Sequence, residues 1–394
     1  MTSAVLPLRR ERTAVATVFF VVGVMLGTWF TRVPELRAAL DLDFAELGAV
    51  LLFQTVGVLI AMQVAGHLSA HLDTRTVLRW TAALVPWCPV LVTVTSGPVA
   101  ASAAMLGWGL LAGLLDVAMN AQGVELERAG GRPFLSGLHA VWGAGALVGS
   151  LGSLGAIRAG VPLGAHFDVV AAVLCVLALV AGRHALPETV RRGPRKPVGL
   201  LSGWTRAVLV LGGLGAAAAL CEGAVSSWSG VFLREQRGAA VEVASLGYFV
   251  FVLAQTFTRV FGDRAHRILG PVSLLRWSMA ATVAGVLVAV LSPDPWIGLA
   301  GFAVQGCGLA VVIPVISGAV GHGAGGNTSL AIARYSTLHQ AGVLAGPALF
   351  GWLAQTWGIS AALALLVVPL AAIAVLATAT RPAEQPEAVH QRAA

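Results

Sequence analysis

The sequence predicts an all-α integral membrane protein, with twelve transmembrane helices in two pseudo-symmetric six-helix bundles. Three observations predict it: the apolar composition, a series of apolar runs with arginine concentrated in alternate connections, and an internal repeat. The 394 residues are 57% hydrophobic and 11% charged, with a mean hydropathy of +0.83. Soluble domains carry about a quarter charged residues. This chain has too little polar side chain to cover a water-facing surface, and lipid is the alternative solvent.

The apolar runs fall at 13–33, 46–70, 77–95, 98–124, 134–157, 166–185, 206–231, 244–262, 272–291, 296–320, 329–354 and 359–379, near the roughly 20 residues that a span requires. Arg9, Arg10 and Arg12 precede the first run in the manner of a secretory leader. That run lacks an A-x-A cleavage site and is followed by many more, so it is read as a retained first helix. With the N-terminus in the cytoplasm, the inside connections hold Arg75 and Arg79, then Arg128 and Arg132, then Arg183, Arg191, Arg192, Arg195, Lys196 and Arg206, then Arg264, Arg267 and Arg276. Only Arg32, Arg37, Arg158, Arg234 and Arg237 fall outside. Positive charge stays on the cytoplasmic side, which places both termini inside, in a bacterial inner (plasma) membrane. The formal charge of +7 is scattered between apolar runs and forms no stripe, so nucleic acid is not an expected partner. Cys88, Cys175, Cys221 and Cys307 each sit in an apolar segment with no metal-ligand spacing, and read as small packing residues.

The longest hydrophilic stretch, 187–205, is rich in Pro and Arg and divides the chain. It gives an N-terminal bundle at 1–186, a linker at 187–205, a C-terminal bundle at 206–380 and a tail at 381–394. The halves echo one another at an offset near 200. SGLHAVWGAGALVG (136–149) aligns with STLHQAGVLAGPAL (336–349), and Gly23, Glu35 and Arg37 fall on Gly223, Glu235 and Arg237.

Charged groups at bilayer depth are costly and face protein or a water-filled cavity. Gly109, Gly113, Asp116, Asn120, Gly123 and Glu127 follow one another at helical spacing in the fourth run, so this face packs against protein or water. Asp116 reads either as a proton-titrating carboxylate with Asn120 orienting a solute, or as half of a structural hydrogen bond. Glu222 is the acidic residue inside the seventh run, on a small and polar face with Gly215, Ser226 and Ser229. It reads as a coupling carboxylate or as a structural partner. His139 and His339 are repeat equivalents, suited to a helix contact, a proton relay or solute binding. Trp29, Trp142 and Trp228 flank these groups and could stack on a solute ring; Gln54, Gln255, Gln305, Tyr335 and Gln340 are further polar candidates. Arg32 reads as an interfacial arginine at the outer end of the first run.

GHLSAHLDTRTVLR (66–79) resembles the loop pattern G-x-L-[AS]-D-[RK]-x-G-[RK]-[RK] that joins the second and third helices of major facilitator transporters. Gly66, Leu68, Ser69 and Arg75 fit, while Ala70 stands at the acidic position and Asp73 at a glycine. The corresponding loop of the second half, TRVFGDRAHR (258–267), keeps Arg259 and Asp263 four residues apart beside Arg264. DVAMNAQGVELERAGGRPFLSGLHAVWGAG (116–145), with GTWFTRVPELRAAL (27–40), is similar to the MosC/YbjJ-like branch of the superfamily, itself distantly like sugar permeases of the fucose-permease kind.

The resemblance implies a secondary transporter working by alternating access, with helices 1, 4, 7 and 10 lining a central cavity. It implies a monomer and a small polar, sugar- or inositol-like solute moved with protons. On that reading Asp116 and Glu222 couple protons. Asn120, His139, Trp142, Trp29, Trp228, Gln255, Gln305, His339 and Gln340 line the solute path, and Arg75, Arg259, Asp263 and Arg264 form a cytoplasmic gate. The alternative is a proton-driven exporter of an amphipathic drug or natural product; a fold-sharing membrane sensor would need a soluble signalling domain. AGVLAGPALFG (341–351) resembles the G-x-x-x-G-P pattern of drug–proton antiporters, but on the eleventh run rather than the fifth, and reads as a close-packing stripe. No P-loop, nucleophile elbow, H-E-x-x-H or dinucleotide turn is present, so neither an enzyme nor a cofactor is expected.

Overall fold

In lipid each backbone N–H and C=O must find its partner within the segment, so long apolar runs become helices. The computed structural model describes residues 9–68, 73–130, 135–184, 202–322 and 328–381. In chain order the helices are α1 Arg9–Ala39, α2 Phe44–Leu68, α3 Thr74–Thr93, α4 Gly97–Gly130, α5 Leu135–Arg158, α6 Leu163–Gly182 and α7 Arg206–Arg237. Next comes a 46-residue helical stretch, Leu246–Leu291, which breaks at Gly270 (φ +70°) ahead of Pro271. Its part before the break is α8 and its part after is α9. The last three are α10 Pro295–Gly321, α11 Thr328–Trp357 and α12 Ile359–Thr380. Each of the twelve expected spans falls on one of these helices. Among the described residues eleven helices are long and apolar enough to cross a membrane. The remaining one, α11, has 30 residues, about 45 Å at 1.5 Å per residue, and carries Arg334, His339 and Gln340.

The second-half segment expected as a loop, 258–267, is helical throughout. Nothing there stops a helix; the left-handed Gly270 and the following proline do, and the turn falls on them. The structure of 69–72, within the first-half loop motif, lies outside the described residues, as does most of the 187–205 linker.

The same pairs of helices cross in both halves. Helices α1 and α5 cross where Gly23 lies on the Trp142 carbonyl, Gly27 on that of Ala146 and Gly149 on that of Val24; a Cβ at any of these would overlap the neighbouring backbone. Their counterparts α7 and α11 cross where Gly342 lies on the Ala216 carbonyl. Helices α2 and α4 meet through Gly57 and Gly109, against the carbonyls of Leu106 and Gln54, and their counterparts α8 and α10 meet through Gly306 against Phe251. Small residues let backbones approach, and close packing is what drives helices together in lipid.

The two halves meet closely at the end where α1 and α7 finish, the outer end in the expected orientation. There Arg37 of α1 pairs with Glu235 of α7 at 2.6 Å, the Phe44 N–H donates to Gln355 Oε1 at 3.2 Å, and Gly48 of α2 packs on Pro347 and Gly351 of α11. Pro34 rests on Gly230.

Arg32, expected at the interface, is 2% exposed. Its Nη1 pairs with Glu35 one turn on, its Nη2 donates to the Val161 carbonyl at 3.0 Å and its Nε donates to His166 Nδ1 at 3.3 Å. The guanidinium therefore ties α1 to α6 and to the connection before it. Arg32→Ala leaves Glu35, the Val161 carbonyl and His166 without these charge-assisted bonds, each worth about 1.5–3 kcal/mol. The variant should melt several degrees lower in detergent, and an unchanged melting temperature would show the network to be inert.

Candidate functional site

The polar groups turned toward the space between the halves come from α5, α7, α8 and α11. Glu222 lies on α7 about two turns from Gly215, where the small face lets α11 close in. Gln255 of α8 donates its Nε2–H to Glu222 Oε1 at 3.0 Å. Gln255 is 2% exposed, while Glu222 is half-buried, so the amide fixes the carboxylate and leaves it an open side. The carboxylate is within electrostatic reach of Tyr248 on α8 and His339 on α11. His339 Nδ1 lies 3.3 Å from the Gly215 carbonyl, and its ring stacks on Tyr335 at 6.1 Å. Side chains from α8 and α11 are thus gathered about one carboxylate on α7.

Tyr248 links this group to the other half. Its ring lies 4.9 Å from that of Phe30 on α1, and Ala146 of α5 packs with Tyr248 and Val252. Lower on the same seam Gly143 meets Thr256. One turn further along each helix come His139 of α5 and Arg259 of α8, within electrostatic reach of each other. His139 also meets Phe19 edge-on at 5.4 Å. Gln340 of α11 reaches across the halves to Met62 Sδ of α2 at 3.8 Å.

Other expected site residues lie elsewhere. Asp116 pairs within its own helix: the Asn120 amide donates to the Asp116 carbonyl at 2.9 Å and to Oδ1 at 3.1 Å. The glycines of the same stripe, Gly109 and Gly113, face α2, so the stripe is first of all a helix-packing face. Trp29 is 1% exposed, wedged between Trp108 at 4.7 Å and Phe167 at 6.2 Å. Trp228 is fully buried between Phe44 and Phe350. Neither ring has a free face for a solute. Gln305 is buried where α9 and α10 cross, against Gly285. Trp142 is partly buried, its backbone serving the α1–α5 crossing.

Of the expected gate, Arg75 donates to the Arg183 carbonyl, joining α3 to the end of α6. Arg259 Nε donates to the Ala310 carbonyl at 3.3 Å, and Arg264 is exposed. The side chain of Asp263 lies outside the described residues. Tyr248, Phe30, Thr256 and Met62 were not singled out by sequence. They are ordinary packing residues by type, and only the antiparallel register of α5 with α8 and of α2 with α11 brings them to the seam.

Twelve helices in two repeated bundles, eleven of them apolar enough to cross a membrane among the described residues, with polar groups at their seam, define a multi-pass secondary transporter. The chain belongs to the major facilitator superfamily: the profile of that superfamily matches residues 211–394, and an uncharacterised MFS-type transporter of Yersinia pestis is 32% identical over 376 residues, covering 94% of this chain and 97% of the relative. The membrane protein MosC of Rhizobium meliloti is 29% identical over 359 residues, covering 90% of this chain and 86% of MosC, in line with the branch that the sequence resembles. Among solved structures, a point mutant of the nucleoside transporter NupG superposes with a TM-score of 0.78 at 13% identity, covering 94% of this chain and 99% of NupG. A bacterial homologue of the human lysosomal transporter Spinster, inward-facing and unoccupied, gives 0.70 at 12% identity, covering 95% and 96%.

Proposed function

We propose that this transporter moves a small, polar, hydroxyl-rich solute together with protons across a bacterial inner membrane, as a monomer with both termini in the cytoplasm. The observation that carries the reading is the Glu222–Gln255 hydrogen bond, a carboxylate held by an amide and left half-open at the seam of the two halves. Glu222 is the proton-carrying group. Gln255, His339, Gln340 and His139 supply hydrogen bonds to the solute, as sites for polar ligands do with a few placed groups. The halves divide at 187–205, with the C-terminal bundle at 206–380. They rock about the seam, and Arg259 and Arg264 of α8 shape its cytoplasmic end. Asp116, closed on Asn120 in its own helix, serves packing first and coupling second.

A stabilisation screen of the purified protein with sugars, inositols, amino sugars and nucleosides tests the substrate class. One or more should raise the melting temperature, and stabilisation by amphipathic antibiotics alone would point to the exporter instead. With the solute in hand, Asp116→Asn in proteoliposomes should keep most of the pH-driven transport. Its complete loss in a folded variant would move the coupling role to Asp116.

A further inference from the structure

Between the beginning of α1 and the end of α6 lies an open groove of about 620 Å3, within the roughly 300–1,000 Å3 typical of ligand pockets. Arg9, Arg10 and His184 stand at its mouth. All three are exposed, and among the described residues none of their side chains has a hydrogen-bond or ion-pair partner. Below them the α6 wall is apolar, with Leu177 and Val180 39% and 52% exposed and Ala181 in the buried floor; the α1 wall holds Thr13 and Thr17, whose hydroxyls donate to the carbonyls of Arg9 and Thr13. From His184 to Leu177 the groove follows two turns of helix, about 10 Å of depth.

Three unpartnered cationic or protonatable groups at the membrane end, above an apolar trough open to lipid, match one kind of ligand. We propose that this groove binds an anionic phospholipid, its phosphate held by Arg9 and Arg10 with His184 beside it, and the start of an acyl chain laid along Leu177 and Val180. Basic pockets between helices at the cytoplasmic side hold lipid headgroups in this way, each arginine contributing to the preference for anionic lipid. Glu11, the one acidic residue of the same turn, is outside the lining of the groove. The site is separate from the transport seam and does not depend on the identity of the solute.

The test uses full-length protein in nanodiscs of phosphatidylcholine with a rising share of phosphatidylglycerol, followed by native mass spectrometry of retained lipid. Wild type should retain phosphatidylglycerol over phosphatidylcholine by about tenfold or more. The combined Arg9→Gln, Arg10→Gln and His184→Gln variant should lose that preference, while Arg158→Gln, at the other end of α5, should keep it. Size-exclusion profiles establish that each variant is folded. Equal retention of the two lipids by wild type overturns the proposal, a result that needs no variant. So does an unchanged preference in the triple variant, or an equal loss in the Arg158 control. Nanodiscs present both leaflets alike, so the outcome does not depend on orientation.

Discussion

Glu222→Gln will uncouple solute movement from protons while leaving the protein folded. Glutamine has the length and shape of glutamate, and its Oε1 can accept the same bond that Gln255 gives to the carboxylate. The geometry of the α7–α8 contact therefore survives, and the charge does not. A one-proton symporter under a gradient of one pH unit has about 1.4 kcal/mol to use, enough to concentrate its solute about tenfold. With glutamine at 222 no proton can be carried there, and the accumulation ratio should fall to about one. Exchange of labelled for unlabelled solute should persist, since solute binding and the rocking of the halves do not consume a proton. Both assays read in the same proteoliposomes. Retention of the full tenfold gradient by the variant would remove Glu222 from the coupling role, and loss of exchange as well would recast it as a solute-binding group.

Gly109→Val will prevent assembly of the first bundle. A Cβ at 109 would overlap the Gln54 carbonyl oxygen, and the facing Gly57 is pressed on the Leu106 carbonyl in the same crossing. Both obstacles are backbone, so no side-chain rotation relieves them, and α2 and α4 must separate. Overpacking typically costs about 1–3 kcal/mol where neighbours can shift, and more is expected where two backbones are in contact. Loss of folded, monodisperse protein on size exclusion is the expected result. Gly107→Val is the matched control on the same helix, because a Cβ there meets nothing within 4 Å. Equal behaviour of the two variants would show that the crossing can open without harm.

The helices were legible in sequence because lipid leaves little freedom: a 20-residue apolar run without a solvated alternative has to be a helix. The repeat was legible as well. Gly23, Leu138 and His139 recur near an offset of 200, and the same helix pairs cross in both halves, although Gly23 lies in a crossing and its equivalent Gly223 does not. What sequence could not supply was direction. Trp29 and Trp228 have the right type for stacking on a solute, but their helices turn them inward among Trp108, Phe167, Phe44 and Phe350. Asp116 and Asn120 share a face, yet a face says nothing of which helix it meets, and here its glycines meet α2. Arg32 looked like an interfacial charge because its partners, Val161 and His166, are some 130 residues away in sequence. The Glu222–Gln255 pair was visible only as two separate candidates, since nothing in either run encodes their separation.

The break at Gly270 leaves α8 and α9 almost no slack. A single left-handed residue and a proline reverse the chain, where a flexible connection would let one helix move alone. The short corner couples α8 to α9, and α9 is pressed on α10 through Gly285 and Gly301. Tyr248 and Gln255 on α8 are thereby tied, through one short corner and one close crossing, to α9 and α10. Lengthening that corner with a few flexible residues would amount to cutting a linkage between α8 and its neighbours.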